Sequence, residues 1–191
     1  MKKLLLILAC TVLPALSIAQ SQLPPHMEGK MEYPVFDFHP WVGVMKSKTK
    51  VLDYNKDLEY KIVIDITDSM SDSTQIMRTL REVARTYNLN VANGVPKRKL
   101  EMAVVIHGGA IMGILNNEAY RNRYGVDNPN AEAISQMKKE GIDFYVCAQI
   151  LGFRQVPEEN ILKDVDITLS AKTALITLQQ MGYTYMKINE N

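Results

Sequence analysis

Cysteine is scarce in this chain of 191 residues, with only Cys10 and Cys147 present and no CxxC pair. That scarcity argues against a self-contained dithiol oxidoreductase. The phosphate-binding fingerprints GxGxxG and GxxxxGK[ST] are missing, as are the HExxH metal motif and the GxSxG nucleophile motif. The histidines and cysteines lie at no recognised metal-ligand spacing, so we expect no metal and no cofactor.

An excess of charge of either sign is also absent, since 22 basic residues face 21 acidic ones. The chain has no block of basic residues, which argues against nucleic acid and against an anionic membrane surface as partners. Beyond the first twenty residues no run is long and apolar enough to cross a bilayer. We therefore expect no stable membrane insertion.

The N-terminus is typical of a secretory signal peptide over residues 1–19. Two lysines precede an apolar stretch at residues 4–16, and the small residues Ser17 and Ala19 suit cleavage after Ala19. An alternative is a lipobox at ILAC, which ends at Cys10, but only about six apolar residues would precede that cleavage point. The sequence thus predicts an exported protein, periplasmic if the host is Gram-negative.

Two regions follow the leader. Residues 20–57 contain several prolines and aromatic residues with little periodicity, and they predict an extended N-terminal arm that packs on the domain or on a neighbouring subunit. Residues 58–191 have the size of one domain and alternate between β-rich runs and amphipathic stretches.

The alternation predicts an α/β fold with a mostly parallel sheet of about five strands covered on both faces. We expect strands at residues 60–67, 100–107, 142–146, 165–169 and 183–188. We expect helices over residues 76–87, 110–115, 118–123, 129–140, 148–153 and 171–181.

Side chains that can cap these helices precede three of them. Asp72 or Ser73 is the expected cap of the first long helix, Asn128 that of the helix that begins at Pro129, and Ser170 that of the last one. Ala171, Ala174, Leu175, Leu178 and Met181 form the expected inward face of that last helix.

Polar or reactive residues follow three of the predicted strands, where ligands collect in open α/β sheets. Asp65 and Thr67 end the first strand, His107 and Gly108 end the second, and Cys147 and Gln149 end the third. Parallel strands would bring all of them to one edge.

Cys147 would also lie at a helix N-terminus, where backbone N–H groups and the helix dipole stabilise a thiolate. A nearby His107 can act as a charged neighbour or a proton acceptor. The structural alternatives are a histidine bonded to a loop carbonyl and a cysteine that acts as a small buried hydrophobe.

Four segments together resemble the DsrE/DsrF-like sulfur-relay family, in particular its exported branch. They are YKIVIDI from Tyr60, AVVIHG from Ala103, GIDFYVCAQ from Gly141 and ALITLQQMGY from Ala174. The resemblance implies a flavodoxin-like three-layer α/β/α sandwich that assembles into homotrimers or homohexamers.

The resemblance also implies that Cys147 receives and passes on sulfur as a persulfide, with His107 and Gln149 as neighbours. Ala148 departs from the glycine found in many relatives. The predicted export separates this chain from the cytoplasmic partners of the known relay proteins.

Three functions are compatible with the sequence. The first is a sulfur carrier or thiol-redox protein whose partners are donor and acceptor protein thiols. The second is a non-catalytic binding or assembly module with a buried structural cysteine. The third is a redox sensor in which Cys147 forms an intermolecular disulfide or a sulfenic acid.

Overall fold

The structure is a computed structural model that describes residues 22–48 and 52–190. The predicted signal peptide, its cleavage site and Cys10 lie outside the described residues. Within the described residues, no helix is long and apolar enough to cross a membrane.

The described residues form a small antiparallel pair of strands, a five-stranded parallel sheet and five α-helices. The strands are β1 (Met31–Glu32), β2 (Val44–Met45), β3 (Tyr60–Ile66), β4 (Leu100–Ile106), β5 (Ile142–Cys147), β6 (Asp166–Thr168) and β7 (Thr184–Ile188). The helices are α1 (Arg78–Ala92), α2 (Asn117–Tyr124), α3 (Asn130–Lys139), α4 (Ala148–Arg154) and α5 (Ala171–Gln180).

The large sheet has the order β6-β5-β4-β3-β7, and every neighbouring pair is parallel. Its central strand β4 is buried throughout except at Glu101, as expected for a strand covered on both faces. Helices α1 and α3 contribute to the core on one face, and α5 packs on the other. The predicted three-layer α/β/α sandwich with a five-stranded parallel sheet is therefore confirmed.

The direction of strand addition reverses beside β3. The chain adds β4, β5 and β6 in one direction, and α5 then carries it back across the sheet to β7 on the other side of β3. Because parallel crossovers are right-handed, the two directions place their helices on opposite faces. β3 and β7, although far apart in the sequence, are therefore parallel neighbours with their carboxyl ends side by side.

The predicted cap of α1 is wrong. The helix begins at Arg78, and the residue before it, Met77, has no capping side chain. The N–H of Thr79, the second helical residue, donates to Glu190 Oε2 at 3.3 Å, and the Met77 N–H donates to Asn130 Oδ1 at 2.8 Å. Asp72 lies too far upstream and accepts from the N–H and hydroxyl of Thr74 at 2.8 and 2.7 Å. Two residues distant in the sequence thus accept the N–H groups at the start of α1 in place of the expected local cap.

The other two caps lie close to their predicted places. Ser170 Oγ accepts from the Thr173 N–H at 3.1 Å at the start of α5, as predicted. Helix α3 begins at Asn130, one residue later than predicted, and Asn128 Oδ1 accepts from the Asn130 N–H at 2.9 Å.

One residue of the predicted inward face of α5 does not point inward. Met181 is exposed because α5 ends at Gln180 and the chain turns away through Gly182, which has φ 91°.

The N-terminal segment packs on α1 through a buried amide. Asn88 Oδ1 accepts from the N–H groups of Val35 and Phe36 at 3.1 and 3.0 Å. Its Nδ2 donates to the carbonyls of Phe36 and Val42 at 2.8 and 2.9 Å. Since these contacts use the two donors of the amide and both lone pairs of its oxygen, Asn88 fixes the path of the segment over α1.

His39 lies at the end of this contact, against α1. Its Nδ1 accepts from the Trp41 N–H at 3.1 Å, and its Nε2 lies 3.3 Å from Arg81 Nη1. Burial and, second, the Arg81 charge lower the pKa of His39 to about 4. The His39 ring is therefore harder to protonate in the folded protein than in the unfolded chain.

We predict that acid weakens the fold through His39. Between its ordinary pKa of 6.5 and about 4, the unfolded state binds a proton that the folded state does not, so stability falls as pH falls through this window. His39→Asn keeps an acceptor for the Trp41 N–H and removes the ionisable ring. Thermal unfolding at several pH values should give a flatter profile for this variant.

The matched control is His26→Asn, which alters an exposed histidine. Its pH profile should follow that of the wild type. A profile for His39→Asn as steep as that of the wild type would contradict the assignment.

Candidate functional site

A buried carboxylate links three strands at the carboxyl edge of the sheet. Asp65, near the end of β3, is only 6% exposed. Its Oδ1 lies 2.8 Å from Nε2 of His107, which follows β4 directly. Its Oδ2 accepts from the hydroxyl of Tyr185 on β7 at 2.8 Å. Tyr185, Asp65 and His107 thus form a continuous hydrogen-bonded row across the sheet.

The surroundings of Asp65 favour its charged form. Burial acts to raise the pKa of Asp65, but the hydrogen bonds from His107 and Tyr185 and the electrostatic interactions with His107 and Lys187 hold that pKa below its ordinary value. The hydrogen bond to Asp65 and, second, burial raise the pKa of Tyr185. Tyr185 therefore stays a donor and Asp65 stays an acceptor, which orients the His107 ring.

Cys147 lies at the junction between β5 and α4, as predicted. It is the last residue of β5, and its backbone is extended at φ −76° and ψ 113° before α4 starts at Ala148. Its side chain is 7% exposed. It belongs to the small core between the sheet and α5, together with Val63, Ala103, Val105, Ala171 and Leu178.

The register brings Cys147 to the same edge as the hydrogen-bonded row. Ile106 on β4 pairs with Val146 on β5, so His107 and Cys147 are the next residues on two neighbouring strands. Neighbouring strands lie about 4.8 Å apart. Because side chains alternate between faces, Asp65, His107 and Cys147 all belong to the face covered by α5.

Thr67 and Gly108 shape the loop beside these residues. The Thr67 carbonyl accepts from the N–H groups of Gly109 and Ala110 at 2.9 and 3.3 Å, and the Thr67 hydroxyl donates to Asp68 Oδ1 at 3.1 Å. Gly108 has φ 60°, and a Cβ there would lie 2.6 Å from the Thr67 carbonyl oxygen. The backbone path after β4 therefore requires glycine at position 108.

Gln149 is not part of the hydrogen-bonded row, whereas Tyr185, which the sequence analysis does not single out, is. Gln149 is in the first turn of α4, but its side chain is exposed, and in the described part of the chain no hydrogen bond joins it to Cys147 or His107. Tyr185 was not predicted, because the sequence does not tell which strand lies beside β3. The described residues contain no group of three or more His, Cys, Asp or Glu arranged to hold a metal ion.

Comparison with known proteins identifies the family of the chain. Residues 61–188, more than half of the chain, match the DsrE/DsrF-like family. The chain belongs to this family. No curated protein matches the sequence of this DsrE/DsrF-like protein.

One solved structure similar to this DsrE/DsrF-like protein is that of MTH1491, a protein of unknown function from Methanobacterium thermoautotrophicum. The two share 18% sequence identity at a TM-score of 0.52, over 68% of this chain and 100% of the other. At that identity the likeness supports the fold alone.

We predict that Gly108→Ala destabilises the protein more than a glycine substitution that changes only the backbone conformation. Gly125 has φ 76°, and no atom lies within 4 Å of the place that a Cβ would take there, so Gly125→Ala should cost about 1 kcal/mol. Gly108→Ala adds the clash with Thr67 and should cost about 2–4 kcal/mol. Urea unfolding measures both values, and equal losses would contradict the close approach at Gly108.

Proposed function

We propose that this DsrE/DsrF-like protein is a sulfur carrier that holds sulfane sulfur on Cys147 as a persulfide. The observation that carries the proposal is the meeting of Cys147, His107 and the charged Asp65 on one face at one edge of the sheet. Family membership supports sulfur-relay chemistry of this class.

The proposed transfer needs no oxidant. The Cys147 thiolate attacks the outer sulfur of a donor persulfide, R–S–SH, and the donor S–S bond breaks as the new S–S bond forms. The donor leaves as the thiolate R–S⁻, and the carrier becomes Cys147–S–SH. An acceptor thiolate then attacks the same outer sulfur, and Cys147 leaves as a thiolate.

In this proposal His107 moves the proton of the Cys147 thiol. The contact with Asp65 uses Nε2, so Nδ1 is the ring atom available for proton exchange. The charged Asp65 fixes the ring orientation, as a buried carboxylate does for a histidine base. Asp65 is thus a positioning residue, and Cys147 is the nucleophile.

We also propose that the protein is exported and works as a homotrimer or homohexamer with protein thiols as sulfur donor and acceptor. The pattern of residues 1–19 supports export. Exposed apolar side chains on and around α5 support assembly, among them Leu169 at 70% and Ile176 at 60% exposure.

One observation favours a second candidate function, a binding or assembly module with a structural cysteine. Cys147 is 7% exposed and packs among aliphatic side chains. In that case the thiol stabilises the core, and Cys147→Ser changes stability without loss of any sulfur chemistry.

We predict that the folded protein gains about 32 Da, one sulfur atom, after incubation with polysulfide. Intact mass measures the gain, and peptide mapping should place it on Cys147. The folded Cys147→Ser variant should gain no mass. Failure of the folded wild type to gain sulfur would contradict the carrier function and favour the structural module.

We predict that His107→Asn slows the transfer of sulfur from polysulfide to Cys147 by about 10²-fold or more, because general acid–base catalysis contributes about that factor. The gain of about 32 Da with time measures the transfer. The difference in rate between His107→Asn and the wild type should decrease as the pH rises, because more of the Cys147 thiol then ionises without a base. His26→Asn, at an exposed histidine, is the control and should transfer at the wild-type rate.

A further inference from the structure

A cavity lies beside the carboxyl ends of β3 and β7, and open α/β sheets bind their ligands outside the carboxyl ends of their strands. It has a volume of about 490 Å³, within the range of small-molecule sites. Its walls include Trp41 from the N-terminal segment, Ser71 after β3, Glu190 after β7, and Arg78, Arg81 and Arg85 from α1.

The three arginines form one row on α1, at spacings of three and four residues. Side chains at these spacings share a helix face, and like charges there repel each other. Among the described residues that line the cavity, the carboxylates are Glu82, 3.5 Å from Arg85, and Glu190. The lining therefore carries one more positive than negative charge.

The guanidinium groups are incompletely paired within the described residues. Arg78 Nη1 donates to the Glu190 carbonyl at 3.0 Å, whereas Nε of Arg81 and Nε of Arg85 are buried without a hydrogen-bond partner. Burial lowers the pKa of Arg81 although Glu190 and Glu82 act in the opposite direction. Each guanidinium has five N–H donors, so acceptors are in short supply here.

The Glu190 carboxylate already occupies one end of this cavity. Its Oε1 accepts from Ser71 Oγ and its Oε2 from the Thr79 N–H, both at 3.3 Å. These long contacts hold an oxyanion beside the arginine row. An external oxyanion would therefore meet donors of the right kind, with Glu190 as an internal repulsive charge.

We infer that this cavity binds a small molecule through an oxyanion group, a carboxylate, sulfonate or phosphate held by Arg78, Arg81 and Arg85, with Trp41 against the rest of the molecule. Arginine matches the planar and tetrahedral oxyanions with two parallel N–H donors. The cavity lies on the α1 side of the sheet, and Cys147 lies on the α5 side. The inference does not depend on the sulfur-carrier function.

Trp41 provides the test, since it is the only tryptophan in the chain. Sodium sulfate, phosphate and acetate are titrated at constant ionic strength, with chloride as the balancing salt, and Trp41 fluorescence and heat of binding are recorded. At least one oxyanion should give a saturable change in both signals. Equal responses to chloride and to all three oxyanions would overturn the inference, as would heat without a change at Trp41.

Charge variants locate the site. Arg78→Gln alters an exposed side chain and should weaken binding about tenfold or more, because a hydrogen bond to a charged group is lost. Arg98→Gln removes the same charge from an exposed residue outside the cavity and should leave affinity unchanged. Equal affinities for the two variants would overturn the assignment.

Glu190→Gln should have the opposite effect on the affinity of the same site for an oxyanion. Removal of the internal carboxylate should strengthen oxyanion binding several-fold, a gain that general destabilisation cannot produce. Weaker binding by this variant, with the wild-type fold retained by circular dichroism, would contradict the proposed role of the cavity.

Discussion

The parallel register of β3, β4 and β5 is the constraint on which the candidate site depends. Asp65, His107 and Cys147 come from segments far apart in the sequence, and they share one edge because the three strands run in the same direction. A shift of one residue in any pairing would move a side chain to the opposite face. In the observed register Val63 shares the α5 face with Asp65, and Ile64 and Ile66 lie in the core on the other face.

Asp65 combines a structural and a functional role. A buried carboxylate is unfavourable unless hydrogen bonds satisfy it, and here His107 and Tyr185 do so from the two strands on either side. The same contacts that make its burial tolerable fix the orientation of the His107 ring. The network thus ties the stability of the sheet edge to the geometry of the proposed sulfur site.

The sequence was sufficient for features that depend on local patterns. Continuous aliphatic runs predicted the buried strands, spacing of three and four predicted the helices, and the cap at Ser170 followed from its position before an amphipathic run. The β5-to-α4 junction at Cys147 was predicted for the same reason.

Features made by residues distant in the chain were not predictable. Glu190 and Asn130 accept the N–H groups at the start of α1 in place of the expected local cap. Tyr185 bonds Asp65 only because β7 lies beside β3. Asn88 positions the N-terminal segment through contacts with Phe36 and Val42, which no local pattern reveals. The exposure of Gln149 depends on the direction in which α4 leaves the sheet.

The proposed sulfur chemistry requires that Cys147 react in the native fold although it is mostly buried. The most direct measurement compares the rate of iodoacetamide modification of Cys147 with the rate of global unfolding from hydrogen exchange under the same conditions. A sulfur carrier should be modified much faster than it unfolds, because the edge of the sheet admits a reactant to the thiol. Modification no faster than unfolding would contradict this function and make Cys147 a residue of the core.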